Sequence, residues 1–325
     1  MDTGAGESVG RRWDPFACGR WDLVLAVGAV LVGCLLVFHG AVPNGFGRLG
    51  SLLETFLPWL GLAVPALTLL ALWRRSVVAL FAVLLPAAAW AGQFAQLLYV
   101  PPASGSAYDI TVVQHNVSDE NPDPAAAARA LRAADADVIA LEELTSAALP
   151  LYEGVLAAQY PHHAVIGTVG VWSKHPLREV RPVDIRPSGV GAGWNRGLRA
   201  TATTPEGEVA LYVAHLPSIR LSPTQGLASA RRDESARLLG AALAAERLDR
   251  VIVLGDLNGT VDDRGLAPVV SQAGPADSGF ALSWPAGMPL ARIDQVLARA
   301  ATVTRVWTLA STGSDHLPVA ARIAF

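Results

Sequence analysis

The polar groups best suited to chemistry stand where short apolar runs end. They are Asn116 in VVQHNV, Glu142 and Glu143 in IALEELT, His215 in LYVAHLPS, Asp256 and Asn258 in VIVLGDLNG, Asp294 in RIDQV, and Asp315 with His316 in STGSDHLPV. Carboxylates and carboxamides are oxygen ligands for hard cations, and carboxylates and imidazoles move protons. Singly, each has a plainer explanation, because Asp and Asn after a strand commonly form turns and a lone His is commonly structural. Together they suggest one site, because strands sharing a scaffold present their ends side by side.

Glu142 and Glu143 pose a choice. Successive side chains of a strand point to opposite faces, so two neighbours can hardly serve one site equally.

The elements that would position these groups are short and β-rich. DITVVQHNV, DVIALEEL, HAVIGTVGVWS, LRATATT, EVALYVAHL, RVIVLGDLN, RIDQVLA, TVTRVWTLA and LPVAARIAF imply at least eight strands between residues 109 and 325. DPAAAARALRAAD reads as a helix capped by Asp123 with Pro124 in its first turn, and residues 229–248 read as a second, longer helix. Helices beside many strands indicate an α+β layered domain.

The motifs, in their order, resemble those of the endonuclease/exonuclease/phosphatase superfamily. VVQHNV is similar to that family's opening strand with its Asn, DVIALEELT to its D-hydrophobic-L-Q-E motif, and GVWSKHPL to its S-K/R-x-P turn. YVAHLPS resembles its T-H-L strand, VLGDLN its G-D-x-N motif, RIDQVL its R-I-D strand and SDHLPV its terminal S-D-H-x-P-V. The resemblance implies a four-layer α/β/β/α sandwich of the DNase I type, preceded here by three transmembrane helices. It implies Mg²⁺ or Mn²⁺ held by Glu143, helped by Asn116 and Asp315. It further implies that Asp256 orients or deprotonates water, Asn258 holds a phosphate oxygen, His215 donates to the phosphoryl oxygens, Asp294 orients a histidine, and His316 contacts the phosphate or shares a proton with Asp315. The reaction would be in-line attack of water on phosphorus. Glu142 occupies the place where the family usually has Gln, and it is expected to point away as a solvated or capping acid.

Other groups read more plainly: Asp262 and Asp263 as turn residues, His162 and His163 as surface or strand-start groups, and His115, alternating away from Asn116, as support behind the site or packing. Arg196 in GWNRGLRA is either a structural cation or a phosphate clamp, since a guanidinium fork matches phosphate oxygens.

Of the 325 residues, 52% are hydrophobic, and the excess lies in the first hundred. Three apolar runs there are of bilayer-spanning length, giving a head at 1–20, three membrane helices within 21–100, a linker at 101–108 and a catalytic domain at 109–325. Arg11, Arg12 and Arg20 precede the first run and Arg74 and Arg75 sit between the second and third, so the positive-inside rule puts the N-terminus in the cytoplasm and the catalytic domain outside the plasma membrane. Both cysteines, Cys18 and Cys34, fall within the head and first run, so the domain carries no thiol.

Six of the 25 Lys and Arg and five of the 28 Asp and Glu lie in the first hundred residues, leaving 19 and 23 in the domain. That slightly acidic balance offers no basic stripe for nucleic acid. The layout of three spans, linker and domain also resembles the VanJ-type membrane proteins associated with teicoplanin resistance. That likeness implies a lipid-linked phosphate as substrate, undecaprenyl pyrophosphate leading. The alternatives are a phosphodiesterase acting on nucleic acid or phospholipid, and a non-catalytic envelope-ligand binding protein.

Overall fold

The computed structural model describes residues 19–45, 47–99, 107–222, 226–276 and 279–325. Arg11, Arg12, Cys18 and most of the expected linker lie outside them. The chain forms two compact units. One comprises the chain up to His39 together with Pro58–Gln93; the other comprises Gly40–Leu57 together with Phe94–Phe325.

The first unit contains α1 (Arg20–Phe38). After α2 (Leu49–Thr55), which belongs to the second unit, it continues with α3 (Ala63–Arg74) and α4 (Val77–Phe94), whose last residue begins the return to the second unit. With their flanking 3₁₀ turns, Arg20–Ala41, Leu57–Arg74 and Val77–Leu98 are long and apolar enough to cross a membrane. Pro86 lies within α4.

The second unit is built on two mixed sheets. The first orders its strands as β12 (Thr302–Thr308), β13 (Val319–Ala324), β1 (Ile110–Asn116), β2 (Val138–Glu142), β4 (Val169–Ser173) and β3 (His162–Ile166). The second runs β11 (Asp294–Arg299), β10 (Val251–Asp256), β7 (Gly207–Ala214), β6 (Gly197–Thr204) and β5 (Leu177–Pro182). A two-residue pair, β8 (Leu221–Ser222) and β9 (Gly226–Leu227), stands apart.

Side-chain alternation sets the layers. Ile110 and Val112 of β1, Val138 and Ala140 of β2, and Val319 and Ala321 of β13 share one apolar cluster with Leu198, Ala200, Leu211, Ile252 and Leu254 of the other sheet. The intervening residues Val113, Ile139 and Leu141 pack outward with Leu131 of α5 (Pro124–Ala133) and with Tyr152 and Leu156 of α6 (Leu149–Leu156). On the far side Tyr212 and Val253 pack outward with Leu239 and Leu243 of α7 (Ala230–Ala244) and with Val269 of α8 (Ala267–Val270). The result is the expected four-layer α/β/β/α sandwich.

Asp123 caps α5 as the sequence predicts, its side chain accepting from Ala126 N at 2.8 Å. HAVIGTVGVWS, which reads as one run, is a hairpin of β3 and β4 turning at Gly167, where φ is +61°.

Candidate active site

Alternation carries past the apolar core to the strand ends, and there the inward positions become polar. Gln114 and Asn116 follow Val112 on β1, and Glu142 follows Ala140 on β2, where it stands in register with Asn116. Asp256 follows Leu254 on β10 and lies opposite Asp294 on β11. His215 keeps the inward parity of Val213 just beyond β7. All six are buried, so each needs a partner.

The partners are mostly one another. Asn116 Nδ2 donates to Asp256 Oδ2 at 3.1 Å. Asn258 N donates to Asp256 Oδ1 at 2.9 Å and its Nδ2 to Asp256 Oδ2 at 3.1 Å. His316 Nδ1 lies 2.8 Å from Asp294 Oδ2, which also accepts from Ser283 Oγ at 2.6 Å. The far ring nitrogen of His316 is 3.8 Å from Asp256 Oδ2, and Nε2 of His215 is 3.6 Å from the same oxygen. Gln114 Nε2 ties Asp294 Oδ1, at 3.0 Å, to Glu142 Oε2, at 2.7 Å.

Glu143 reaches the site by another route. Its φ of +60° ends β2 in a left-handed turn, so its side chain is not bound by strand alternation. Its carboxylate lies 3.7 Å from His215 Nε2, accepts from Asp119 N at 3.2 Å, and keeps 25% of its side-chain surface exposed. It lines a cavity of about 460 Å³ with Asp119, Thr145, Ser146, Thr168 and Arg196.

Glu142 corrects the expectation of a solvated or capping acid. It is fully buried between the sheets, and its Oε1 has no hydrogen-bond partner among the described residues. The parity of Val138 and Ala140 dictates this, because the third residue of that series faces inward as well. Burial, reinforced by the charges of Asp294 and Asp256, raises its pKa well above 4.5.

Charge is sharply divided within the cluster. Burial disfavours a cationic His316, but Asp294 and Asp256 overcome it and push its pKa up to about 10. Burial likewise works against an ionised Asp294, and the charge and hydrogen bond of His316 reverse that, holding its pKa below 3.8. Burial pushes Asp256 up to about 7, with His316 opposing and Asp294 adding. Burial and the neighbouring cations Arg196 and His316 hold His215 well below 6.5 and therefore neutral. At neutral pH the cluster combines an imidazolium–carboxylate pair with a carboxyl poised near pH 7.

Asp256, Asp294 and His316 bring one potential ligand atom each within 4.8 Å of one another, so an acidic metal site is available. His316 is committed to Asp294 through Nδ1, whereas Glu143 opens to the cavity, and carboxylate and carboxamide oxygens suit a hard divalent cation.

The structure thus gathers Asn116, Glu143, His215, Asp256, Asn258, Asp294 and His316. Asp315 stands exposed at the edge, where its charge supports a cationic His316. Both amide hydrogens of Asn258 are engaged, one with Asp256 and one with Leu216 O at 2.9 Å, so its amide steadies Asp256 rather than facing open space. His115 faces away, buried against Thr312, and burial lowers its pKa to about 3. Asp263 is a buried ion-pair partner of Arg232 rather than a solvated turn residue. Gln114 and Ser283 were not singled out from the sequence. Gln114 shares the parity of Val112 and Asn116, which was a usable signal; Ser283, in a loop, offers none.

Comparison with known proteins fits this geometry. The chain resembles sphingomyelinase C from Streptomyces griseocarneus (22% identity, TM-score 0.51, covering 66% of this chain and 99% of that one). It is similar to D. rerio TDP2 complexed with single-strand DNA product (18%, TM-score 0.53, 66% and 99%). It also resembles a beta toxin double mutant from Staphylococcus aureus with bound magnesium ions (16%, TM-score 0.51, 66% and 99%). No curated protein sequence matches it. A family model does match, across residues 113–316, which hold all the clustered groups: the chain belongs to the Endonuclease/Exonuclease/phosphatase family.

Proposed function

We propose that the protein is a membrane-anchored, metal-dependent phosphohydrolase acting outside the plasma membrane on a lipid pyrophosphate of the undecaprenyl type. In that role it would contribute to teicoplanin-type resistance. The observation that carries the pyrophosphate reading is Arg196. Among the described residues its guanidinium forms no ion pair; it lies 3.2 Å from the neutral His215 ring, over Trp194, and lines the cavity beside Glu143. Burial lowers its pKa, opposed by Glu143, Asp256 and Asp119. An arginine without a carboxylate partner, one imidazole away from the acidic cluster, suits a second phosphate next to the one that is cleaved.

The residues divide the work. Glu143 and Asn116, with Asp315 at the edge, would hold Mg²⁺ or Mn²⁺, which supplies charge neutralisation at the phosphoryl oxygens. Asp256, with its pKa near 7, takes the proton of the attacking water, and Asn116 and Asn258 fix its carboxylate. The His316 cation, oriented by Asp294, and His215 face the oxygens on which charge develops.

The catalytic domain spans about residues 109–325, with the membrane part before it. Arg20 at the start of the first span, and Arg74 and Arg75 at the junction of the second and third, support a cytoplasmic N-terminus.

A second reading is a phosphodiesterase, as a sphingomyelinase and a protein solved with a single-strand DNA product are among the structures it resembles. One assay separates the two. Full-length protein in detergent, with Mg²⁺ or Mn²⁺, is offered undecaprenyl pyrophosphate, sphingomyelin and plasmid DNA. Phosphate release from the lipid pyrophosphate, with KM raised at least about tenfold by Arg196→Ala, is expected. Headgroup release or DNA nicking without it would replace the proposal with a phosphodiesterase.

A further inference from the structure

The loop between the first two spans enters the catalytic unit as more than a connection. Glu54 of α2 is 1% exposed. Its carboxylate accepts from Arg264 at three nitrogens: the backbone N at 3.0 Å, Nε at 2.9 Å and Nη2 at 2.6 Å. Arg264 Nη1 continues to Val42 O at 2.9 Å, so one guanidinium spans both ends of the loop. Gly50 is required for this packing, since a Cβ there would stand 2.7 Å from Arg264 Nη2 and 2.6 Å from Val42 O. A second tie runs from Arg48 to Asp233 of α7 at 3.2 Å.

These contacts converge on the loop that follows β10. Arg264 adjoins Asp263, whose carboxylate pairs with Arg232, which is itself fully buried. Arg232 Nη1 then donates to Asn258 O at 3.0 Å, and Arg232 Nε holds Asp233 at 2.9 Å. Asn258 has a φ of +48°, a left-handed turn that Asn adopts more readily than most residues, and the Arg232 bond to its carbonyl holds that turn in place. Its N and Nδ2 are two of the three donors that fix Asp256, the third being Asn116 Nδ2.

We propose that α2 is a positioning element of the active site: Glu54, through Arg264, holds the loop that presents Asn258 to Asp256. The proposal rests on the phosphohydrolase reading in one respect, that Asp256 and Asn258 belong to the reacting centre. Glu54 and Arg264 are positioning residues, acting on Asp256 through Arg232 and Asn258. A loop held at both ends keeps a carboxylate within the narrow geometry that proton abstraction requires, and small displacements there cost rate more than binding.

The test uses full-length protein in detergent with Mg²⁺ and bis(p-nitrophenyl) phosphate as probe. Two variants disturb the clamp from opposite sides. Glu54→Gln removes the charge and keeps the shape; Gly50→Ala drives a methyl group against Arg264 with no change of charge. Each is expected to lower kcat about tenfold or more, with KM within about threefold of wild type and melting still well above assay temperature. Wild-type kcat in both would overturn the proposal. So would a fall in melting temperature at unchanged kcat, or failure of both to fold, since either result makes the contact architectural only. A wild-type protein inactive on every phosphate ester would instead count against the phosphohydrolase reading.

Discussion

Glu142→Gln separates a buried neutral acid from the exposed anion that the sequence suggests. The carboxyl sits between the sheets, Gln114 Nε2 donates to one oxygen, and the other has no partner among the described residues. Burial and two neighbouring carboxylates raise its folded pKa well above 4.5. A raised folded pKa means that the folded state holds a proton the unfolded state releases. The associated stability is complete below pH 4.5 and is lost as pH rises toward the folded pKa. One proton gives a slope of about 1.4 kcal/mol per pH unit across that window. Gln at this position keeps the acceptor for Gln114, places a donor where the bare oxygen stood, and cannot ionise. Urea unfolding of the full chain in detergent and chelator, followed by tryptophan fluorescence from pH 5 to 6.5, should show the variant gaining about 1.4 kcal/mol per pH unit over wild type. Groups remote from the site titrate alike in both chains and cancel in the difference, whereas Asp256 and Asp294, which feel the charge at this position, contribute to it. Curves that run parallel would refute the buried neutral acid, as an exposed carboxyl has no such linkage. A loss above about 2 kcal/mol at every pH would show that an ionised carboxylate is needed there.

Glu143→Gln should abolish turnover and weaken Mn²⁺ binding about tenfold or more by calorimetry, while melting stays near wild type because the side chain is partly exposed; unchanged Mn²⁺ affinity would remove Glu143 from the metal. Glu246 is held by Arg199 at 3.0 Å and Tyr212 at 2.9 Å, and despite the opposing effect of burial these hydrogen bonds lower its pKa from 4.5 to about 2. Discounted for solvent screening, that depression contributes on the order of 2 kcal/mol above pH 4.5, lost as pH falls toward 2, so Glu246→Gln should cost about that much or less at pH 7 and flatten the acid limb of the unfolding curve.

What the sequence revealed followed from local pattern. Asp123 and Pro124 announced α5, alternation announced the inward faces of β1, β2 and β10, and the motifs announced which strand ends would meet. Four features escaped. Glu143 turns toward the cavity through a left-handed φ that no residue type advertises, so both acids of the doublet reach the site region although alternation carries only Glu142 inward. LREVRP forms β5 at a sheet edge, with irregular pairing between Arg178 and Arg181 and a proline at its end, so it carries no clean alternation. LPLYEGVL forms α6 in eight residues, too few to show a helical period against the apolar background. The pairing of Glu54 with Arg264 joins positions 210 residues apart, and charge alone does not choose between so many partners.

Gly40–Leu57 begins in the last residues of the first candidate span and Phe94–Phe325 in the last residues of the third, yet they fold as one compact unit. Stretches of chain that fold together occupy one side of a bilayer, so the crossings between them must be even in number. Leu57–Arg74 and Val77–Leu98 therefore cross as a pair or not at all. This parity does not depend on which arginines face the cytoplasm. It binds the first loop and the catalytic unit to a common compartment, and a crossing by Arg20–Ala41 puts the chain that precedes it on the opposite face.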